Sequence, residues 1–386
     1  MKVVGNSQYQ KIANSFLILR LLRGGTSTRV EIARKLGLQP STVTYSVNRL
    51  LESGLVRESN HEALHTDSKP SNQGRKAVQI ELNVDYGRVI GLELLADYCW
   101  CSILDLRGNV LFSQRLEYLS HTENLPPKKR FELQLERVIN KMVNLCNGIP
   151  VLGVGIALPG IVEANGQIVR DCWTHELKEC DFSQFLKDRF AFPVVFENDA
   201  NCCVQKYLWN GADERQTNFI YLLAREYPHE LVPKGVPPFG IGLGLVFEGK
   251  LYRGSHSMAG EFISAFMDMY SQTGQLQSSV ENMLVLQLDS ALRQKMLKEL
   301  LYNLRSIVSI LDPQTVYLGG FFTDYMDEAT NILNEDLLKK VIFVNAHSDA
   351  SEGAAENLLN LLFRIPQVGE TENESTYNQY LLFNHM

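Results

Sequence analysis

The sequence contains no uninterrupted apolar run that would cross a membrane, and no cysteine after Cys203. Its longest apolar stretch, Val151–Val162, is broken by glycines and a proline, whereas a transmembrane helix needs roughly 18–20 apolar residues in a row. Seven cysteines, an odd number that includes an adjacent pair, favour reduced thiols over a disulfide framework. No signal peptide is recognisable, because Arg20 splits the first apolar stretch. We therefore expect a cytoplasmic protein with no membrane partner.

Charge is unevenly distributed along the chain. The first 85 residues hold 12 Lys and Arg against 7 Asp and Glu, and the remaining residues hold 25 against 37. A small basic head on a larger acidic body is typical of a nucleic-acid-binding module attached to a second domain. With 386 residues, of which 45% are hydrophobic and 21% charged, the chain is long enough for two or three folded domains.

Helix start and stop signals divide the basic head into three short helices. The first helix is predicted to end at the paired glycines at positions 24 and 25. Thr28 and Glu31 have the spacing of a capping box, which opens a second helix that ends at Gly37. Pro40 suits the first turn of a third helix. Two short helices joined by a glycine-containing turn predict a helix-turn-helix.

The third predicted helix has one apolar and one polar side. Val43, Val47 and Leu50 share the buried side, as residues three and four apart do on a helix. Hydroxyl, amide, phenol and guanidinium groups lie on the opposite side, and such groups bond phosphates or base edges in a major groove. The predicted DNA-binding residues of this helix are Ser41, Thr42, Tyr45, Asn48 and Arg49.

A two-stranded wing follows the third helix. Residues 55–58 and 77–83 have strand patterns, and the second alternates apolar and polar side chains. The intervening loop ends in a flexible basic tip, so we predict that Arg75 and Lys76 contact DNA. These features together predict a winged helix-turn-helix DNA-binding domain over residues 1–84.

From about residue 88 onward, strand and helix patterns alternate, which predicts an α/β body. Its roughly 300 residues suggest two lobes with a cleft between them. Glycine and acidic motifs follow several of the predicted strands. These motifs are Ala157-Leu158-Pro159-Gly160, Glu197-Asn198-Asp199-Ala200-Asn201, Gly240-Ile241-Gly242-Leu243-Gly244, Ala259-Gly260-Glu261, Leu318-Gly319-Gly320 and Gly353-Ala354-Ala355.

In this order, the motifs resemble those of the ROK family, named for repressors, open reading frames and kinases, over about residues 10–363. The resemblance implies a two-lobed actin-like, ribonuclease-H-like sugar-kinase fold over residues 85–364, with residues 365–386 as a C-terminal tail. The head resembles the winged helix of the family's transcriptional regulators of the xylose/N-acetylglucosamine repressor type.

The resemblance also implies a sugar site in the cleft. Asn198 and Asp199 match residues that bind sugar hydroxyls, and Glu261 matches the family's sugar-binding glutamate. Carboxylates and an amide suit vicinal hydroxyls, because they accept and donate paired hydrogen bonds. His256 takes the place of a common asparagine of the family, and His175 lies in a loop that often supplies a sugar contact. Both are further candidates, although a lone histidine there more often serves packing or lies on the surface.

The chain departs from the family's kinases at both phosphate loops. The family patterns Asp-x-Gly-Gly-Thr and Gly-Thr-Gly are replaced by Glu93-Leu94-Leu95-Ala96-Asp97 and Pro238-Phe239-Gly240. Bulk and negative charge hinder the approach of phosphates, so we expect no enzyme activity and no catalytic residue. Asp199 is then a degenerate general-base position that binds a ligand.

The family's zinc site is also missing from the sequence. Ser264 replaces a histidine, and residues 262–304 contain neither Cys nor His. We therefore expect no cofactor and no metal.

These features together predict a sugar-responsive DNA-binding repressor of carbohydrate-use genes. We expect it to bind operator DNA as a homodimer or tetramer, because one winged helix covers too little DNA to be specific. Two alternatives remain open. One is a regulator that needs no ligand and uses its body to dimerise, and the other is an ATP-dependent sugar kinase with an accessory head.

Overall fold

The computed structural model describes residues 7–59, 77–117, 125–208, 216–232, 236–268 and 274–365. The head contains three helices and a three-stranded antiparallel sheet, as expected for a winged helix-turn-helix. The helices are α1 (Ser7–Arg23), α2 (Arg29–Leu36) and α3 (Pro40–Glu52). The strands are β1 (Ser27–Thr28), β2 (Val56–Glu58) and β3 (Gln79–Leu82), in the order β1-β3-β2.

Local signals in the sequence explain the ends of these helices. The Thr28 hydroxyl accepts a bond from the Glu31 amide at 3.2 Å, and the Glu31 carboxylate accepts one from the Thr28 amide at 2.8 Å. This is the predicted capping box, which satisfies two amides at the start of α2. Gly37 ends α2 with a φ of 64°, a left-handed conformation that glycine adopts without strain. The third strand of the wing, β1, was not predicted, and it forms because Thr28 is extended before it caps α2.

The first lobe of the body is built on a five-stranded mixed sheet in the order β11-β7-β4-β5-β6. Its strands are β4 (Arg88–Leu94), β5 (Tyr98–Leu104), β6 (Val110–Glu117), β7 (Val151–Leu158) and β11 (Val194–Asn198). Its helices are α4 (Pro127–Leu145) and α5 (Ser183–Arg189), and a small sheet comprises β8 (Ile161–Val162), β9 (Ile168–Cys172) and β10 (Leu177–Asp181). The buried apolar residues of α4 recur every three or four positions, so this helix packs in the core of the lobe.

The second lobe has a five-stranded sheet in the order β14-β13-β12-β15-β16. The strands are β12 (Phe219–Glu226), β13 (Phe239–Phe247), β14 (Lys250–Leu251), β15 (Thr315–Gly320) and β16 (Val341–Val344). Its helices are α7 (Val280–Met283), α8 (Ser290–Leu311), α9 (Phe321–Asp324), α10 (Met326–Ile332) and α11 (Glu335–Leu338). Two sheets of this kind with helices packed against them form the predicted two-lobed α/β body.

Two helices, α6 (Asp199–Leu208) and α12 (Asp349–Leu362), pack against each other and join the two sheets. α12 contacts β4 and β7 of the first lobe, and α6 contacts β12 and β13 of the second. The crossing of the two helices is tight, because a Cβ on Gly353 would lie 1.8 Å from the carbonyl oxygen of Cys202. Only glycine fits there, which gives a physical reason for the first residue of the Gly353-Ala354-Ala355 motif.

The head is not a separate body, because its hydrophobic core is continuous with that of the first lobe. Phe16 and Leu19 of α1 belong to the same buried cluster as Leu358 and Leu362 of α12. The turn at residues 83–87 joins β3 to β4, and the domain boundary after residue 84 stays a prediction. Within the described ranges, the helices are too short or too polar to cross a bilayer.

Candidate DNA surface and ligand cleft

The predicted DNA-binding face of α3 points away from the head's core. The side chains of Ser41, Tyr45 and Asn48 are exposed, and those of Thr42 and Arg49 are half-buried. Tyr45 is 48% exposed, so its ring and hydroxyl are accessible to a partner. The opposite side of α3 buries Val43, Val47 and Leu50, as the sequence predicts.

Two basic residues from the other helices flank this face, and the sequence analysis missed both. Lys11 of α1 places its Nζ 5.3 Å from the centre of the Tyr45 ring. Arg29 of α2 donates from Nη2 to Asn48 Oδ1 at 3.4 Å. Their contribution depends on how three helices pack, which helix spacing alone does not reveal. The predicted wing-tip residues Arg75 and Lys76 lie outside the described residues.

A cavity of about 310 Å³ opens between the two lobes. Three residues predicted to bind sugar, Asn198, Asp199 and Glu261, line it together. Further lining residues that the sequence analysis did not single out are Asp171, Trp173, Arg225 and Tyr227. The Trp173 and Tyr227 rings meet edge to face with their centres 4.8 Å apart, so one wall of the cavity is aromatic.

Asn198 and Asp199 are held at the start of α6 by bonds to the backbone. Asn198 Oδ1 accepts from the Asn201 amide at 3.0 Å, and its Nδ2 donates to the Gly160 carbonyl at 3.1 Å. Asp199 Oδ1 accepts from the Ala200 amide at 2.9 Å. The Asn198 side chain therefore caps the helix, and Asp199 keeps lone pairs available for a ligand.

Glu261 reaches the cavity from a turn beside β13. Gly260 has a φ of 95°, and its carbonyl accepts from the Leu243 amide at 2.9 Å. A Cβ on Gly260 would lie 1.9 Å from the Leu243 oxygen, so glycine is required before Glu261. Glu261 is exposed at the edge of the cavity. Partial desolvation by the cleft walls, together with the nearby Asp199 and Asp171, raises its pKa to about 7.

A buried ion pair forms part of the cavity wall. Arg225 of β12 contacts Glu93 of β4 through Nη2, and its Nε is 3.3 Å from Asp199 Oδ2. The Glu93 side chain is fully buried, and this burial raises its pKa although Arg225 opposes the shift. Burial also raises the pKa of Asp199. One guanidinium thus joins the second lobe to two carboxylates of the opposite wall.

The family model described as ROK family matches residues 89–275. Residues 89–275 therefore form a ROK family domain. A model described as winged helix-turn-helix DNA-binding matches residues 13–57, which include α2 and α3 of the head.

A curated relative similar to this chain is a "Xylose repressor" from Bacillus spizizenii, 26% identical over 267 residues. The match covers 68% of this chain and 62% of that protein, so the chain spans less than two thirds of the length of the relative it matches.

Solved structures confirm the predicted fold class. A ROK family transcriptional regulator, described as a homologue of the E. coli MLC protein, has a TM-score of 0.65 at 14% identity, covering 91% of this chain and 97% of that one. A ROK family glucokinase from Streptomyces griseus, solved with glucose and AMPPNP, has a TM-score of 0.52 at 18% identity, covering 70% and 99%. The body thus has the two-lobed sugar-kinase fold of the ROK family, preceded by a winged helix-turn-helix.

The structure does not bring the two candidate histidines to the cavity. His175 is buried, its ring lies edge-on to Phe131 at 5.0 Å, and its Nε2 is 3.2 Å from the Leu94 carbonyl. It is Trp173, two residues earlier on the same short 3-10 turn, that lines the cavity. His256 is exposed in a turn after β14. His175 therefore packs in the core of the lobe, and His256 lies on the surface.

Ser264, which replaces the histidine of the ROK zinc site, takes part in a buried hydrogen-bond network. Its hydroxyl accepts from Asn303 Nδ2 at 3.1 Å, and Asn303 Oδ1 accepts from the Ala265 amide at 2.8 Å. In the part of the chain that the structure describes, no three His, Cys, Asp or Glu side chains gather as a metal site requires. The expectation that the protein has no metal and no cofactor stays a prediction.

Proposed function

We propose that this protein is a sugar-responsive DNA-binding repressor and that it is not an enzyme. The observation that supports this most strongly is the rigid connection between its two candidate sites. α1 of the head shares a buried cluster with α12 and is bonded to it through Arg23 and Glu356. α12 packs on α6, whose first residue is Asp199 in the cleft. A ligand that favours one arrangement of the lobes is therefore able to move the head.

Operator DNA is the partner that the head suits. The exposed face of α3 combines Tyr45, Asn48 and Arg49, and Lys11 and Arg29 add positive charge at its edges. Such a face fits a major groove, with cations on the flanking phosphates. We propose a homodimer or tetramer, because two heads are needed to bind two half-sites. A repressor acts where the DNA is, so we place it in the cytoplasm.

A sugar is the effector that the cleft suits. Asn198, Asp199 and Glu261 present an amide and two carboxylates around one cavity. The aromatic wall formed by Trp173 and Tyr227 suits the apolar face of a sugar ring. The names of the relatives, a xylose repressor and a ROK regulator, support the same class of effector and a role in carbohydrate-use genes.

Kinase activity is disfavoured by what occupies the phosphate positions. Glu93 and Arg225 form an ion pair at the first phosphate-loop stretch, and Phe239 of the second stretch lines the cavity. Phosphoryl transfer needs open backbone amides and a metal at these positions. Asp199, the general-base position of the kinases, faces Arg225, which suits a binding role.

DNA binding is tested first, by fluorescence anisotropy on a fragment from upstream of the protein's own coding region. We expect Arg49→Ala to weaken binding by about 1–3 kcal/mol. Lys11→Ala is expected to lower the slope of log affinity against log salt concentration by about 0.9, the loss of one phosphate contact. The control is Arg189→Ala, which removes an exposed cation from the body. Unchanged binding in both head variants would reject this interface.

Sugar response is tested by titrating the protein–DNA complex with pentoses and hexoses. We expect one sugar to release the DNA from the wild-type protein, and expect Asp199→Asn and Glu261→Gln to lose this response while they still bind DNA. Specific binding that no sugar alters would instead favour the ligand-independent regulator. Sugar-dependent consumption of ATP would favour the kinase.

A further inference from the structure

The cavity between the lobes is dominated by negative charge. Asp171, Asp199 and Glu261 line it, and Arg225 is the only cationic side chain among the described lining residues. Among the described lining residues, Arg225 is therefore the one side chain that attracts a phosphate, because carboxylates repel an anion.

Arg225 already forms ion pairs within the protein. Its Nη2 contacts Glu93, and its Nε lies 3.3 Å from Asp199 Oδ2. Glu93 has no exposure to solvent, and a buried carboxylate needs its counter-ion, because an unpaired buried charge is costly. Moving Arg225 toward a phosphate would leave Glu93 without that partner.

A side chain of the protein also covers the second phosphate-loop stretch beside Arg225. Arg225 is opposite Gly240 in the β12–β13 ladder, and Gly240 belongs to the second phosphate-loop stretch. The Tyr227 ring covers that glycine, since a Cβ on Gly240 would lie 3.1 Å from Tyr227 Cε2. The remaining volume of about 310 Å³ lies at the low end of the range for small-molecule sites and suits one monosaccharide.

We propose that the cleft takes an uncharged sugar and rejects sugar phosphates, and that Glu93 determines this specificity by neutralising Arg225. This inference rests on the proposed sugar-responsive function. Glu93 does not itself line the cavity. It acts through Arg225, and is in that sense a positioning residue.

The test compares matched ligands on the full-length protein by isothermal titration calorimetry and thermal shift. The ligands are D-glucose with glucose 6-phosphate, N-acetylglucosamine with its 6-phosphate, and D-xylose with xylose 1-phosphate. We expect at least one uncharged sugar to bind, and its phosphate to bind at least about tenfold more weakly, a difference of roughly 1.4 kcal/mol.

The variant Glu93→Gln tests the cause of this specificity. It removes one of the two carboxylates that neutralise Arg225, so we expect the affinity for the phosphate relative to the free sugar to rise about tenfold. A purely structural role for Glu93 would change both affinities together and leave their ratio unaltered. The control is Glu328→Gln, which makes the same change to the pair of Glu328 with Arg293, 2.8 Å apart and on helices α10 and α8.

Asp171→Asn provides a second variant in case Glu93→Gln fails to fold. Asp171 lines the cavity and is half-buried, so removing its charge is expected to raise the same affinity ratio about threefold. If the affinity for the phosphate relative to the free sugar is unaltered in every variant that folds, the charges around Arg225 do not determine the specificity.

The two proposals fail in different ways. If a sugar phosphate binds the wild-type protein as tightly as its free sugar, the specificity is wrong and the sugar-responsive function stands. If neither member of any pair binds, both the sugar response and this inference are overturned, while DNA binding by the head is unaffected.

Discussion

At the scale of single residues, the cleft places similar carboxylates in different surroundings. Glu93 is buried against Arg225, whereas Glu261 lies beside Asp199 and Asp171 and its desolvation is the largest cause of its raised pKa. A carboxyl whose pKa is higher in the folded than in the unfolded state binds its proton preferentially in the folded state. Such a group makes the stability of the protein depend on pH near neutrality.

The first prediction concerns the pH dependence contributed by Glu261. Its pKa is about 7 in the folded protein against 4.5 for the ordinary side chain. This contribution to stability is fully present below pH 4.5 and is lost as the pH rises through 7. Thermal melts of Glu261→Gln are therefore expected to show a weaker fall in melting temperature between pH 5 and pH 7 than the wild type, by about 2–5 °C after solvent screening.

The control for this prediction is Glu52→Gln, which changes an exposed carboxylate at the end of α3. Its melting temperature should follow the wild-type pH profile. If Glu261→Gln also follows that profile, the pKa of Glu261 is not raised and the cleft is better hydrated than its walls indicate.

Residues whose partners are near in sequence were the ones that could be predicted. The polar face of α3 follows from helical spacing within 13 residues, and Thr28 with Glu31 follows from a three-residue spacing. Arg225 was missed because its partner Glu93 is 132 positions away. A signal was nevertheless present, since a charged residue inside an otherwise apolar strand requires a buried counter-ion.

At the scale of secondary-structure elements, the crossing of α6 and α12 positions the cleft. The N-terminus of α12 is anchored by Asp349, which accepts bonds from Lys206 at 2.6 Å and from the Tyr207 and Tyr221 hydroxyls at 2.8 and 2.9 Å. Gly353 then allows the two helix backbones to touch. Helices that approach so closely move as one unit.

The second prediction is that Gly353→Ala destabilises the protein by at least about 2 kcal/mol. The added methyl group would lie 1.8 Å from the Cys202 carbonyl oxygen, so α12 has to shift. Urea unfolding followed by circular dichroism measures the effect. The matched control is Gly24→Ala, whose Cβ meets nothing closer than 3.5 Å and should change the free energy of unfolding by less than about 1 kcal/mol. Equal effects of the two changes would contradict the tight crossing.

Most long elements of the body were predictable because their hydrophobic periods are clear. The apolar face of α4 and the strands β7 and β12 lie where the pattern places them. The small sheet β8-β9-β10 was not predicted, since its strands have only two to five residues and mixed polarity. Short strands of this kind depend on tertiary pairing more than on their own sequence.

At the scale of the whole molecule, the head and body are joined by ion pairs as well as by one core. Arg23 at the end of α1 contacts Glu356 of α12 and donates to Asn360 Oδ1 at 3.2 Å. Asn360 in turn donates to Gln205 of α6 at 3.1 Å. A continuous set of bonds thus runs from the helix that begins in the cleft to the first helix of the DNA-binding head.

The third prediction is that removing one partner of the Arg23–Glu356 pair lowers the free energy of unfolding more than replacing both partners with apolar residues. Arg23→Met leaves the buried Glu356 without its counter-ion and is expected to lower the free energy of unfolding by about 3–5 kcal/mol. The double variant Arg23→Met with Glu356→Leu should recover most of that loss. In anisotropy assays, this double variant should bind DNA with a weakened response to the effector. A full response would show that the signal does not pass through Arg23.

The shared core also decides how the protein is best divided for engineering. Phe16, Leu19 and Leu22 belong to one buried cluster with Leu358 and Leu362 near the C-terminal end of α12, more than 300 positions later in the chain. A chimera that joins this head to another sensor body at the turn before β4 would leave that apolar surface uncovered. The part of the protein that would carry its DNA specificity to another body is therefore the head together with the last two turns of α12. Those turns have to be transferred because they cover the apolar surface of the head.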